Sequence, residues 1–162
     1  MTLMPGEERT STHVRFRPAL PSESALLSGI AHDAKARWGY PADLLELWSD
    51  ELCVSPEFIV ANYVCCACIG GETVGFAAVC ESADGAELEH MWVRPDRMGQ
   101  GVGRDLLEHV LEDMHARGVP TLRVVSDPNA EGFYLRMGAR RVGETDSIPP
   151  GRRLPLLVLE AR

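Results

Sequence analysis

Long apolar runs are missing from this 162-residue chain, none approaching the roughly 18 residues a membrane-spanning helix needs, so no membrane association is expected. The first residues carry Glu7, Glu8, Arg9 and Thr10 where a secretory leader would place a basic and then an apolar stretch, and residues 1–12 read as a frayed tail. Positive charge is also scarce. Lys and Arg total 16 against 24 Asp and Glu, a formal net charge of -8, which argues against a nucleic-acid binder and leaves room for a cationic or amine substrate.

The five cysteines cannot all pair, and Cys65, Cys66 and Cys68 lie in an apolar, strand-like run where free cysteine acts as a small hydrophobe. Cys65 and Cys68 form a C-x-x-C pair, but residues three apart in a strand point to opposite faces. With no second pair to complete a four-ligand set, no metal is expected. A reducing, cytoplasmic compartment fits these thiols.

The remaining length suits one compact domain over 13–162. Residues 14–18 read as a strand, Pro21 and Ser22 open a helix that ends near Gly39, and Pro41 opens a second through Trp48. Residues 58–69 and 73–80 read as a hairpin around Gly70 and Gly71, and 86–93 as a strand ending before Pro95. Leu106, Leu107, Val110, Leu111 and Met114 then share one helix face, with Gly118 and Pro120 as the stop. A strand follows at 121–126. Asp127 reads as a helix N-cap with Pro128 at the first helical position, and strands at 140–143 and 154–160 close the chain. This order predicts an α/β (α+β) sheet layered with helices.

The segment Met98-Gly99-Gln100-Gly101-Val102-Gly103 lies between a strand and a helix N-terminus, where backbone N–H groups lack partners and phosphate oxygens bind readily. Glycine there permits unusual dihedrals and lets a pyrophosphate approach the backbone. The dinucleotide fingerprint fails, because Arg104 and Leu106 occupy its last positions, and no Gly-Lys-Ser/Thr ending exists for a P-loop. Glycines used only for close packing at a helix start are the alternative to phosphate binding.

The run ELEHMWVRPDRMGQGVGRDLL over 87–107, followed by DPNAEGFYLRMGA over 127–139, resembles the two signature regions of the GNAT superfamily of acetyl-CoA-dependent N-acetyltransferases. KARWGY over 35–40 and the final GRRLP look like small bacterial members. The resemblance implies a mixed, mostly antiparallel sheet of about six to seven strands with helices on both faces, acetyl-CoA as co-substrate, and a homodimer for which the pattern supplies no interface. It implies pantetheine and oxyanion contacts from Met91, Trp92 and Val93, and pyrophosphate contacts from Met98, Gly99, Gln100, Gly101, Val102, Gly103 and Arg104. Met98 departs from the family's usual Arg or Gln, leaving Arg97 or Arg104 to supply positive charge.

Acetylation of an amine needs a base, a polarised carbonyl and a proton for the departing thiolate. Glu87 and Glu89 lie two apart on a strand and so should share a face, with His90 opposed; desolvation and their mutual charge could raise one of them into a working base. By resemblance Glu87 matches the base of several family members, with Glu89 its competitor, and Tyr134 stands near the thioester sulfur as proton donor. Asp127 occupies a position where the family often places a cofactor-contacting asparagine, although a helix cap explains it fully and is the favoured reading. Trp38, Tyr40 and Trp48 border the acceptor pocket in such a fold or pack the core. Direct transfer to the amine of a small molecule or peptide is the resulting expectation, with a non-catalytic acyl-CoA-binding module as its alternative. A covalent route through cysteine is weaker, since no thiol falls in the signature regions.

Overall fold

In the computed structural model, which describes residues 13–162, seven strands among the described residues form one sheet in the order β1-β2-β3-β4-β5-β7-β6. The expected tail at 1–12 lies outside the described residues. β1 (Arg15–Pro18), β2 (Tyr63–Ile69), β3 (Glu72–Ser82) and β4 (Gly85–Val93) are antiparallel neighbours. β5 (Thr121–Val125) runs parallel to β4, and β7 (Arg153–Glu160) lies between β5 and β6 (Arg140–Asp146), antiparallel to both.

Two cores sandwich this sheet. On one face the apolar stripe of α5 (Val102–Ala116), with Leu106, Leu107, Val110, Leu111 and Met114 all buried, packs on Val74, Ala77, Val79, Leu88, Leu122 and Leu157. The short helix α6 (Glu131–Arg136) adds Tyr134 and Phe133 to that side. On the other face α1 (Ser24–Ala36), α2 (Ala42–Leu47), α3 (Ser49–Leu52) and α4 (Pro56–Ala61) supply Leu27, Ile30, Leu52 and Ile59 against Val64, Cys66, Phe76 and Ala78. Cys65 belongs to the first core and Cys68 to the second, as strand alternation requires.

Three local readings need correction. The first part of the expected strand at 58–69 is helical, because the Ser55 hydroxyl accepts from the Phe58 N–H and Pro56 sits at the first helical position. The expected second helix, by contrast, forms as α2 and closes at Trp48 ahead of the short α3; the Trp48 indole is buried and donates to the Ile148 carbonyl (2.9 Å). Asp127 is not the cap of α6, which begins after Ala130 without a side-chain cap. Its carboxylate instead accepts from the Asn129 N–H (2.8 Å) and from partners described below. Finally, a β-bulge interrupts β4. Ala78 faces His90 and Val79 faces Leu88, so Glu89 has no opposite number. The extra residue shifts the alternation: Leu88 lies in the α5-side core, whereas His90 packs edge-on against Phe58 and tilted against Phe76 on the other face. Glu87 therefore shares a face with His90, contrary to the expected opposition of the two, while Glu87 stays close enough to Glu89 for its charge to raise the Glu89 carboxyl.

Candidate active site

β4 and β5 pair only at their base. Ala86 pairs with Leu122 and Glu87 with Arg123, and beyond that pair the strands part, leaving the β5-facing edge of β4 from Leu88 onward without a partner strand. On its other edge β4 stays in register with β3 up to Val93 and Gly75. A Cβ at Gly75 would meet the Trp92 carbonyl oxygen at 2.8 Å, so this close approach requires glycine. The parting opens a cleft of about 570 Å³ whose walls are β4, the loop after it, the end of β5 and α6.

Of the residues singled out from the sequence, Glu89, Met91, Trp92, Val93, Met98, Gly99, Gly101, Gly103, Arg104, Asp127 and Tyr134 line this cleft. Three do not. Val102 is buried in the α5-side core, Gln100 points outward with its amide on the Asp96 carbonyl (3.3 Å), and Glu87 sits beside the base of the cleft opposite Arg123. Gly99 and Gly101 adopt φ of 77° and 83°, the left-handed region, and turn the chain into the N-terminus of α5. Gly103 has no such φ; its bare Cα faces the Phe133 ring.

Three guanidinium groups, Arg97, Arg104 and Arg136, gather in the cleft wall of a chain that is acidic overall. Arg97 and Arg136 make no ion pair with a described residue, so both are available to an anion beside the α5 N-terminus. Arg136 was missed in the sequence, although it stands three and four residues after Phe133 and Gly132 on the same face of α6. The unpaired β4 edge, the glycine turn and these arginines fit a phosphorylated, amide-rich cofactor such as acetyl-CoA.

Loss of solvent, then the charges of Glu87 and Glu51, raises the Glu89 carboxyl above its ordinary value, the direction a base requires. Burial raises the Tyr134 phenol, whose hydroxyl finds no hydrogen-bond partner among the described residues while its side chain lines the cleft. Burial, then the charges of Glu89 and Glu87, raises the Cys80 thiol above its ordinary value, the direction opposite to that of an activated thiolate. His90 is buried and neutral, pushed down to about 4 by desolvation, and its Nδ1 accepts from the Trp92 indole N–H (3.0 Å). Trp38 lines the cleft while Trp48 is core, so the two expectations for the early aromatic residues divide between them.

Comparison with known proteins places this arrangement. The sequence profile of an acetyltransferase (GNAT) domain matches residues 60–138. The chain is 32% identical over 120 residues to the peptidyl-lysine N-acetyltransferase YjaB of Salmonella typhimurium, covering 74% of each protein. It is 42% identical over 71 residues to a ribosomal-protein alanine N-acetyltransferase of Escherichia coli, a match spanning 42% of this chain and 48% of that relative. Among solved structures, the PaiA N-acetyltransferase of Thermoplasma acidophilum in complex with coenzyme A superposes with a TM-score of 0.76 at 18% identity, over 92% of this chain and 99% of that one.

Proposed function

Because this chain belongs to the GNAT family of acetyltransferases and is an N-acetyltransferase, we propose that it passes the acetyl group of acetyl-CoA directly to a primary amine of a peptide or protein where β4 and β5 part. One observation carries the reading: the unpaired edge of β4 opens on a cleft that also holds Glu89, Tyr134 and the glycine turn. The named activities of the two relatives, on peptidyl lysine and on a ribosomal protein's alanine, favour a protein amine, and exposed Trp38 and Val125 at the cleft offer apolar contacts to a polypeptide.

Backbone N–H groups of Gly99, Gly101 and the first turn of α5 bind the diphosphate, with Arg97, Arg104 and Arg136 neutralising it. Main-chain groups of Met91, Trp92 and Val93 pair with the pantetheine amides, as an added strand would, and steady negative charge on the thioester oxygen as the amine attacks. Glu89 takes the ammonium proton, its raised pKa bringing it closer to the working pH. The amine lone pair forms the new C–N bond, the C–S bond breaks with its electron pair going to sulfur, and the second proton lost from the nitrogen passes to the departing thiolate, so that an amide and the free CoA thiol are the products. Tyr134 hydrogen-bonds that sulfur; burial holds its proton tightly, so stabilising the thiolate is its main service.

The test is calorimetry with acetyl-CoA together with thiol release in the presence of peptides bearing a lysine or a free N-terminus. Saturable association and thiol release that depends on the amine are expected. Absence of association overturns the reading, and association without release for any amine leaves a binding module in its place.

A further inference from the structure

Lys35 is the chain's only lysine; every other member of its Lys and Arg total of 16 is arginine. It lies buried near the end of α1, where its Nζ donates to Oδ2 of Asp127 at 2.5 Å. The same oxygen accepts from the Tyr40 hydroxyl (2.9 Å) and faces Nη2 of Arg152 at 3.5 Å, while Oδ1 accepts from the Asn129 N–H and side-chain amide at 2.8 and 2.9 Å. The two cations also stack on aromatic rings: Lys35 Nζ is 4.7 Å from the Trp48 centroid and the Arg152 guanidinium 4.3 Å. Burial raises the Asp127 carboxyl, but Lys35, Asn129 and Tyr40 outweigh it and hold it below its ordinary value.

Asp127 thus joins the end of α1, the turn before α2, its own turn between β5 and α6, and the turn between β6 and β7. Each of the first three contributes to or adjoins the cleft wall, through Ala34, Trp38, Asp127 and Asn129. A buried ion pair gains little over an apolar pair of the same size, so stability alone does not account for it. Here one carboxylate serves two cations, and losing it strands both. Resting on the acetyltransferase reading, we infer that Asp127 is a positioning residue: instead of touching acetyl-CoA, its carboxylate latches α1 and the β6–β7 turn together and so sets the wall against which the acceptor docks.

The single lysine supplies a readout independent of catalysis. In the full-length protein, a lysine-acylating ester followed by mass spectrometry should leave Lys35 nearly unlabelled, whereas Asp127→Asn, similar in shape but uncharged, should label Lys35 at least about tenfold faster. The same variant should raise acceptor KM about tenfold while acetyl-CoA affinity stays within about threefold. The double variant Lys35→Met/Asp127→Leu, which removes both charges, should recover thermal stability but keep the raised acceptor KM, because the Arg152 turn has lost its anchor. Loss of acetyl-CoA affinity in step with acceptor KM would make Asp127 a cofactor contact and overturn the latch. So would an unchanged KM, or a double variant whose KM returns to normal. Should the parent protein turn over no amine, the acetyltransferase reading fails, and unchanged Lys35 labelling in Asp127→Asn would then sink the latch separately.

Discussion

The two edges of β4 make opposite use of one strand. Towards β3 it is paired from Gly85 to Val93, interrupted only by the bulge at Glu89 and tightened by the bare Cα of Gly75. Towards β5 it is paired at Ala86 and Glu87 alone. An unpaired edge in the middle of a sheet is ordinarily a defect, since its N–H and C=O groups want partners. On the function proposed above, the closed edge would supply rigidity and the open one preformed donors and acceptors for a ligand that completes the sheet. Substitutions at the open edge should therefore change turnover with little effect on melting, and those at the closed edge the reverse.

Glu89 gives the sharpest test of the open edge. Glu89→Gln should lower kcat about 10²- to 10⁴-fold, the usual worth of a general base, with acetyl-CoA affinity and melting temperature nearly unchanged. The raised carboxyl also predicts that the parent's rate falls on acidification through a pKa above the ordinary carboxylate range, a limb absent from the variant. If Glu87→Gln is the more damaging change, the assignment passes to Glu87, which lies outside the cleft wall.

Much of the open edge was legible in the sequence. The glycine turn, the apolar stripe of α5 and the signature around Tyr134 are local patterns, each fixed by residues within a few positions of one another. The bulge was not, because strict alternation over 87–90 is the default for a strand and nothing in ELEH marks the residue that loses its opposite number. Asp127 was misread for a related reason. An aspartate before Pro128 satisfies the local rule for a helix start, while Lys35, Tyr40 and Arg152, 92, 87 and 25 residues away, reach it only in the folded chain. The helix at α4 could have been read, since Ser55 and Pro56 are ordinary start signals; a run of β-forming residues masked them.

The closed edge should answer in stability. His90 binds its proton at about 4 in the folded chain against 6.5 when unfolded, so below pH 6.5 the unfolded state takes up a proton that the folded state excludes. Stability from this residue is complete above that pH and drains away as pH falls towards 4, amounting to about 2 to 3 kcal/mol by pH 4.5. Urea unfolding at pH 7 and 4.5 should show the parent losing that much more than His90→Gln. Equal losses would mean the histidine does not grip the strand. Gly75→Ala comes next: its methyl must displace the Trp92 backbone, costing about 1 to 3 kcal/mol in denaturant melts. If acetyl-CoA affinity falls with it, tightness at one edge is what shapes the other; if affinity holds, the edges are independent.

The smallest effect belongs to Tyr134, and it decides what that residue contributes. Its ring is packed in the core, so Tyr134→Phe should leave melting and acetyl-CoA affinity close to the parent's. A donor required to surrender its proton would show a large loss in kcat, but burial makes this phenol a weaker acid than usual, and a hydrogen bond to the departing sulfur is worth about tenfold. The loss should be greatest for acyl-CoA analogues whose thiolate leaves least readily, with no alkaline limb in the parent's rate below pH of about 10. A loss of a thousandfold would show that the sulfur departs as a thiol, protonated by Tyr134 in the transition state, and would move that residue from stabilising the leaving group to serving as the acid.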